Sequence, residues 1–252
     1  MAELLRPDAL LLIFAAPCVG SFLGVVIERL PTERPILRSR SACDHCGTRL
    51  GARDLVPLAS WALARGRCRH CGGRLSLFYP AIELAALAMA LWSLAVLPGW
   101  LAWAGSALGW TLLALAVIDA RHMILPNELS LPLIPAGLAV AWALDPGKLP
   151  DHALGALAGF LLILALAALY RRLRKREGIG LGDAKLLAAA GAWVSWQGLA
   201  SVLLLGAASG LAGALVIGFA GGGLKSTRAV PFGPYLAAGF WLVWLYGPLG
   251  LG

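Results

Sequence analysis

The chain has 252 residues, of which 60% are hydrophobic and 13% are charged, and its mean hydropathy is +0.79. A soluble domain carries about a quarter charged residues, so this composition excludes a soluble globular protein and indicates a polytopic membrane protein. The net charge of +8 is typical of the basic loops that fix membrane topology, and we predict no nucleic-acid partner.

Eight apolar segments divide the chain, and each approaches the ~20 residues that a membrane-spanning helix needs. The first is not expected to be a cleavable signal peptide, because it runs directly into an arginine-rich insert without a small-residue cleavage site. Only Trp196-Gln197-Gly198 separates the sixth segment from the seventh. We therefore predict an all-α polytopic membrane protein of about eight transmembrane helices, at 9–27, 81–97, 100–118, 129–145, 152–170, 184–198, 199–219 and 231–248.

The basic residues predict the orientation of these helices. If the N-terminus lies outside, only Arg6 and Lys148 are external, as the positive-inside rule requires. The run from Arg171 to Arg176 then serves as a topology signal and a contact for anionic lipid. The other 19 of the 21 Lys and Arg fall in four cytosolic stretches, at 28–80, 119–128, 171–185 and 220–230.

This orientation predicts a chain of three parts with both termini outside. The first helix occupies 1–27, a cytosolic metal-binding insert occupies 28–80, and a membrane core of about seven helices occupies 81–252.

Two cysteine pairs lie in the insert, in Cys43-Asp44-His45-Cys46 and Cys68-Arg69-His70-Cys71. Their spacing is just beyond the usual zinc-ribbon range and supplies four sulfurs for a closed tetrahedral site. Gly47 and Gly72 follow the pairs and permit sharp turns, at which backbone N–H groups approach the thiolates. A disulfide framework is the alternative, but a cytosolic insert faces a reducing compartment. We predict a structural zinc ion bound by Cys43, Cys46, Cys68 and Cys71. His45 and His70 are possible substitutes, but the four cysteines already close the site.

Two aspartates are the candidate chemical groups of the membrane core. Asp119 ends the third segment and Asp183 opens the sixth, so two complete spans separate them and both return to the same membrane face. Two close carboxyl groups share a proton, because both cannot ionise cheaply. The ionised group then activates water while the protonated group donates to an amide carbonyl. The alternative is that each aspartate is an interfacial helix cap.

The predicted helix ends distinguish the two aspartates. Asp183 lies at a helix N-terminus, where the dipole favours an anion, whereas Asp119 lies near a C-terminus. We therefore expect Asp183 to be ionised and Asp119 to carry the shared proton. The glycines at 180 and 182 permit close approach of a peptide substrate. Gly233, between two prolines, similarly exposes the backbone to an extended peptide.

Five ordered motifs span nearly the whole chain. They are Gly20-Ser21-Phe22-Leu23-Gly24 with its continuation to Pro31, the paired-cysteine insert with its continuation to Glu83-Leu84, Val117-Ile118-Asp119, Gly180-Leu181-Gly182-Asp183, and Pro231-Phe232-Gly233-Pro234-Tyr235. In this order they resemble the prepilin peptidases, the bifunctional leader peptidases and N-methyltransferases of type IV pilus and type II secretion systems. One departure is Asn127, which stands where the family commonly has an acid.

The resemblance implies an aspartic protease of the bacterial inner membrane with Asp119 and Asp183 as its catalytic residues. Its substrates would be prepilins and pseudopilins, cut on the cytosolic side after a glycine and passed to the pilus or secretion assembly machinery. The new N-terminal residue would then be methylated from S-adenosylmethionine, whose binding residues the sequence does not reveal. Its active-site loops would contain Gly180, Gly182, Lys185, Pro231 and Gly233.

Two other functions compete with this interpretation. An ion- or proton-coupled transporter with a zinc-stabilised cytosolic cap would use the aspartates as ligands, although transport sites favour the bilayer midplane. An assembly scaffold would leave the aspartates dispensable. Glu83 is a further functional candidate because it is an acid within a span, and its alternative is a snorkelling or arginine-paired interfacial residue.

Overall fold

Helices form all of the regular structure in the computed structural model, which describes residues 6–36, 40–43, 45–175, 180–217 and 231–250. Within those ranges the only strand-like pairings are two isolated bridges in the insert. The all-α membrane fold predicted from composition is therefore confirmed. The helices are α1 Pro7–Arg29, α2 Ala59–Leu63, α3 Phe78–Val96, α4 Leu101–His122, α5 Asn127–Ser130, α6 Leu133–Leu144, α7 Leu149–Arg174, α8 Leu181–Ile217 and α9 Gly233–Tyr246.

Six stretches of the described chain are long and apolar enough to cross a membrane. Seven of the eight predicted segments overlap a single helix and the fourth overlaps both α5 and α6, so the count of eight is approximate. α8 contains both the sixth and the seventh segment, and α9 has only 14 residues. Residues 218 and 219 of the seventh segment, and Arg176 of the basic run, lie outside the described ranges. The six stretches are Pro7–Thr32, Phe78–Val96, Leu101–His122, Asn127–Leu144, Pro146–Leu173 and Leu181–Val216.

The chain forms two compact units, 1–114 and 115–252, and α4 begins in the first and ends in the second. In unit 1, α1 packs against α3 through two glycines. A Cβ at Gly20 would lie 2.6 Å from the Cα of Glu83, and a Cβ at Gly24 would lie 2.8 Å from the Tyr79 ring. Glycines spaced four residues apart let two helices approach closely within a membrane, and here they bring Glu83 and Tyr79 against α1.

In unit 2, α8 packs against α7 at equally short range. The carbonyl oxygens of Gly191 and Leu187 would lie 2.6 Å and 2.5 Å from Cβ atoms added at Gly155 and Gly159. A ring nitrogen of His152, Nδ1, lies 3.0 Å from the carbonyl oxygen of Ala192. The start of α8, which carries Asp183, is thus held against α7 by backbone-to-backbone packing.

α8 breaks at Ser195, where φ is 59° and ψ is 178°. The Ser195 hydroxyl accepts a hydrogen bond from the amide of Gln197 at 3.3 Å, as an N-cap residue does for the first turn of a helix. The sequence placed this boundary at Trp196-Gln197-Gly198. It lies slightly earlier because the serine, rather than the glycine, supplies the cap.

We expect Gly191→Ala to destabilise the fold, because the added methyl group would collide with the Gly155 backbone. Overpacking of this kind costs about 1–3 kcal/mol and should lower the Tm in detergent by at least ~2 °C. Gly51→Ala is the matched control, since its Cβ would lie 3.6 Å from the nearest atom. Equal Tm values for the two variants would contradict the proposed helix contact.

Candidate active site and metal centre

Asp119 lies in the last turn of α4 and is buried, with 7% of its surface exposed. Its Oδ2 accepts a hydrogen bond from the amide of Gly233 at 3.0 Å. The helix ends directly after it, because Met123 donates its amide to the Asp119 carbonyl oxygen at 2.9 Å and adopts a φ of 58°. The chain then reverses towards α5.

Gly233 is the first residue of α9 and lies directly against the Asp119 carboxylate. A Cβ at this position would stand 2.6 Å from Asp119 Oδ2, so any other residue would displace the carboxylate or the helix. The other predicted member of this loop, Pro231, precedes it by two residues and is half-buried. The glycine that the sequence suggested for substrate access thus has a second purpose, which is contact with the aspartate.

Asp183 lies in the first turn of α8 and is half-buried. Its amide donates to the carbonyl oxygen of Gly180 at 3.2 Å. Its carboxylate is near enough to Asp119 for the two charges to interact. Two acids from helices that are distant in sequence therefore lie in the same part of unit 2.

Both carboxylates lie at helix N-termini, which alters the expected division of roles. Asp183 begins α8, and Asp119 accepts the first amide of α9. The sequence showed only that Asp119 ends a helix, because the contact with α9 joins residues 114 positions apart. Asp119 thus lies between the C-terminus of α4 and the N-terminus of α9, so the difference that helix dipoles predict between the two aspartates becomes smaller.

Two contacts join the segment after Asp119 to the start of α8. The ammonium group of Lys185 donates to Oδ1 of Asn127. A Cβ at Gly182 would lie 2.9 Å from the Cβ of Leu125, so the absence of a side chain lets this segment lie on the glycine. Lys185 and Gly182 therefore help to position the two aspartates relative to each other. Asn127 appeared in the sequence only as a departure from the family pattern.

The four cysteines of the insert form one cluster, in which all Sγ atoms lie within 4.8 Å of one another. Cys43 and Cys68 are buried, and Cys46 and Cys71 are exposed. Four convergent sulfurs suit a single tetrahedral metal ion. The predicted metal-binding residues are thus brought together within unit 1.

The two cysteine pairs fold alike. Gly47 donates its amide to the carbonyl oxygen of Cys43 at 2.8 Å, and Gly72 donates to that of Cys68 at 2.9 Å. Both glycines have φ near 70°, a conformation that glycine adopts without strain. The sharp turns are as predicted: the glycine amides bind carbonyl oxygens, and the backbone amide of His70 donates to the sulfur of Cys68 at 3.4 Å.

His45 connects the two cysteine pairs and is not needed as a ligand. Its Nε2 lies 2.9 Å from the carbonyl oxygen of Arg74, beside the second pair. Its ring occupies the space next to Gly73, where a Cβ would stand 2.8 Å away. The histidine thus aligns the pairs through hydrogen bonding and packing.

The thiols of the cluster titrate very differently from one another. A hydrogen bond with the Thr48 side chain lowers the pKa of Cys46 to about 6. At Cys71, a backbone hydrogen bond from Gly73 lowers the pKa, but desolvation and the neighbouring thiols outweigh it and raise the pKa to about 11. Four adjacent thiolates repel one another, so a divalent cation is needed for all four to be deprotonated together.

Glu83 is 5% exposed, and its Oε2 accepts a hydrogen bond from the amide of Leu58 at 2.7 Å. Leu58 has φ 58° and ψ −52°, and Ala59 donates to the carbonyl oxygen of Pro57 across it. This is a γ-turn with positive φ, a rare and strained conformation. The carboxylate therefore holds the turn that precedes α2, which neither sequence interpretation of Glu83 included.

We expect purified protein to contain one metal ion per chain, and Cys43→Ser to remove it, because a hydroxyl cannot replace a buried thiolate ligand. Inductively coupled plasma mass spectrometry measures the stoichiometry. Cys18→Ser is the matched control, since Cys18 lies on α1 outside the cluster. Full metal content in Cys43→Ser would contradict this assignment.

Two protein-family models match the chain, one within unit 1 and the other mainly within unit 2. Residues 14–97 match the family model described as the bacterial peptidase A24 N-terminal domain, and residues 106–218 match that of the type IV leader peptidase family. No solved structure matches the chain.

Curated relatives match over most of their length, and each carries the name prepilin leader peptidase/N-methyltransferase. The protein from Aeromonas hydrophila is 38% identical over 91% of this chain and 87% of its own. That from Burkholderia pseudomallei (strain 1026b) is 40% identical over 88% and 80%, and that from Dickeya chrysanthemi is 38% identical over 87% and 86%. The resemblance seen in the five motifs is thereby confirmed, and the chain belongs to the type IV leader peptidase family.

Proposed function

We propose that this protein is a membrane aspartic endopeptidase that removes the leader peptides of type IV prepilins after a glycine. The observation that carries the proposal is the pair of contacts, Gly182 with Leu125 and Lys185 with Asn127, that join the start of α8 to the segment after Asp119. Membership of the leader peptidase family and the printed name of the relatives support the same reaction and substrate class.

The two carboxyl groups act as a pair that holds one proton. The ionised group takes a proton from water as its oxygen forms a bond to the carbonyl carbon after glycine. The protonated group donates to the carbonyl oxygen as that oxygen gains charge. Collapse of the tetrahedral intermediate breaks the C–N bond, and the leaving amine takes a proton. The products are the leader peptide with a free carboxylate and the mature N-terminus.

The loops beside the aspartates accept an extended substrate segment. A helical amide is hydrogen-bonded internally and shielded, so the substrate must unwind at the cleavage site. Gly180 is exposed and Pro231 is half-buried, so these residues offer backbone to a substrate, whereas the space at Gly182 and Gly233 is taken by Leu125 and Asp119. Lys185 acts as a positioning residue through Asn127.

The metal at Cys43, Cys46, Cys68 and Cys71 is zinc. A four-thiolate site with no open position is the structural type of zinc site, and the separation of the sulfurs agrees with such coordination. The ion holds the insert and takes no part in peptide hydrolysis.

The same chain methylates the new N-terminus, as the name of its relatives suggests. The chemistry that S-adenosylmethionine supplies when bound is an electrophilic methyl group on a sulfonium sulfur. The acceptor of that methyl group would be the new N-terminal amine of the processed substrate. A neutral amine is required, so the protein must exclude competing protonation at the acceptor nitrogen.

The protein lies in the bacterial inner membrane as a multi-pass protein, surrounded by lipid. The distribution of Lys and Arg supports both termini on the periplasmic side and the insert in the cytosol. Pseudopilins share the substrate class, and the processed products pass to pilus or secretion assembly machinery. The comparisons give no support to a transporter, because the matching families and relatives are peptidases.

Asp119→Asn and Asp183→Asn should each abolish cleavage, with at least a 10³-fold loss of rate, because neither leaves a pair able to share a proton. The assay is cleavage of a prepilin with a Gly-Phe junction in detergent, scored by mass spectrometry of the product N-terminus. A 14-dalton increment on that product reports methylation.

Asp145→Asn serves as the matched control, because Asp145 is exposed and its hydrogen bond to the Gly147 amide can be kept by an amide oxygen. Normal cleavage by either dyad variant would eliminate the proposed mechanism.

Gly233→Ala should slow cleavage by roughly 10²-fold while the protein stays folded, because the methyl group would displace the Asp119 carboxylate. Single-turnover kinetics with the same substrate would measure the loss. In Gly51→Ala the added Cβ lies 3.6 Å from its nearest neighbour, and this variant should keep its rate. Equal rates for the two variants would show that the aspartate tolerates the added group.

A further inference from the structure

We propose that a cavity within unit 1 binds the methyl donor S-adenosylmethionine, an inference that rests on the proposed methylation. The cavity measures about 380 Å³ and lies between the end of α1, the cysteine pairs and the start of α3. Its volume is within the range of small-molecule sites. The residues that carry the argument are Glu28, Trp61, Arg67, Phe78, Tyr79 and Glu83.

Trp61 lines this cavity and contains an unused hydrogen-bond donor. Its Nε1 is buried, and no group among the described residues accepts its hydrogen. The indole ring lies against Gly66, where a Cβ would stand 2.9 Å away, so the ring cannot easily turn to another partner. A buried donor without an acceptor is costly, and a bound ligand with an acceptor atom would remove that cost.

Glu83 gives the cavity a buried negative charge. The described residues place no basic side chain within ion-pair distance of Glu83, and its Oε2 is engaged by the Leu58 amide. A carboxylate can accept further hydrogen bonds, and a buried one needs a compensating partner. A cationic group of a ligand is one partner that suits this carboxyl group, in a cavity that Arg29, Arg34, Arg67 and Arg69 also line. A sulfonium or an α-ammonium group provides that charge, and Glu28 adds a second carboxylate on the same wall.

The remaining lining suits the other two parts of the donor. Phe78 and Tyr79 are aromatic, and their rings meet edge to face with centroids 5.4 Å apart. Aromatic rings of this kind stack on a purine. Arg67 can pair with a ligand carboxylate. Arg29, Arg34, Arg67 and Arg69 line the same cavity, so ATP is titrated beside the methyl donor, and tighter binding of ATP would overturn the assignment.

The test is isothermal titration of the full-length, metal-loaded protein in detergent with S-adenosylmethionine and with S-adenosylhomocysteine. Glu83→Gln keeps an acceptor for Leu58 but removes the charge. It should weaken binding of the sulfonium compound at least 10-fold and that of the neutral thioether less. Trp61→Phe keeps the ring but removes the donor, and should weaken both ligands about 5-fold or more. Leader cleavage should persist in both variants and report that they are folded.

Glu33→Gln and Trp100→Phe are the matched controls, because both residues are exposed and neither lines the cavity. If the wild type binds and methylates but neither cavity variant changes the Kd, the donor site is elsewhere and the proposed function stands. If the wild type cleaves but binds neither compound, both this inference and the methylation fail. Because Trp61→Phe leaves the Glu83–Leu58 hydrogen bond intact, it tests the cavity even where Glu83→Gln does not fold.

Discussion

In unit 2 the backbone amide of Gly233 donates directly to the carboxylate of Asp119, because glycine has no side chain to separate them. The positions of the surrounding helix ends make this contact possible. Asp119 must end α4 and Gly233 must begin α9 for the two to touch. α9 is in turn held by α8, which carries Asp183 at its own start. The two aspartates are therefore positioned by helix ends rather than by flexible loops, as a site with defined geometry requires.

Counting the spans and the residues between motifs was sufficient to predict those features of the fold that depend only on their order and spacing. An even number of spans between Asp119 and Asp183 fixes them to one membrane face, whatever the packing of the helices. The spacing of the cysteines likewise specified the cluster, because thiol chemistry and the reach of a short turn leave few alternatives. Such features are local or topological, so one sequence contains them.

The sequence did not predict contacts between residues that are distant along the chain. The N-terminus of α9 contacts Asp119 through Gly233, and Glu83 accepts a hydrogen bond from the strained turn at Leu58. His45 was read as a spare ligand because its neighbours in sequence are cysteines, whereas its partner is the backbone of Arg74. In each case a polar atom is satisfied by tertiary packing, which no periodicity or motif encodes.

The cysteine cluster also links the chain to itself, from Cys43 to Cys68. Closing a flexible loop of this length costs on the order of 3 kcal/mol of chain entropy. Metal coordination offsets that cost, and its binding free energy is at the same time folding free energy. During synthesis the first cysteine pair is made well before the second, so the insert can become ordered only after Cys71 has left the ribosome. The supply of metal at that moment therefore determines when the insert folds in the nascent chain.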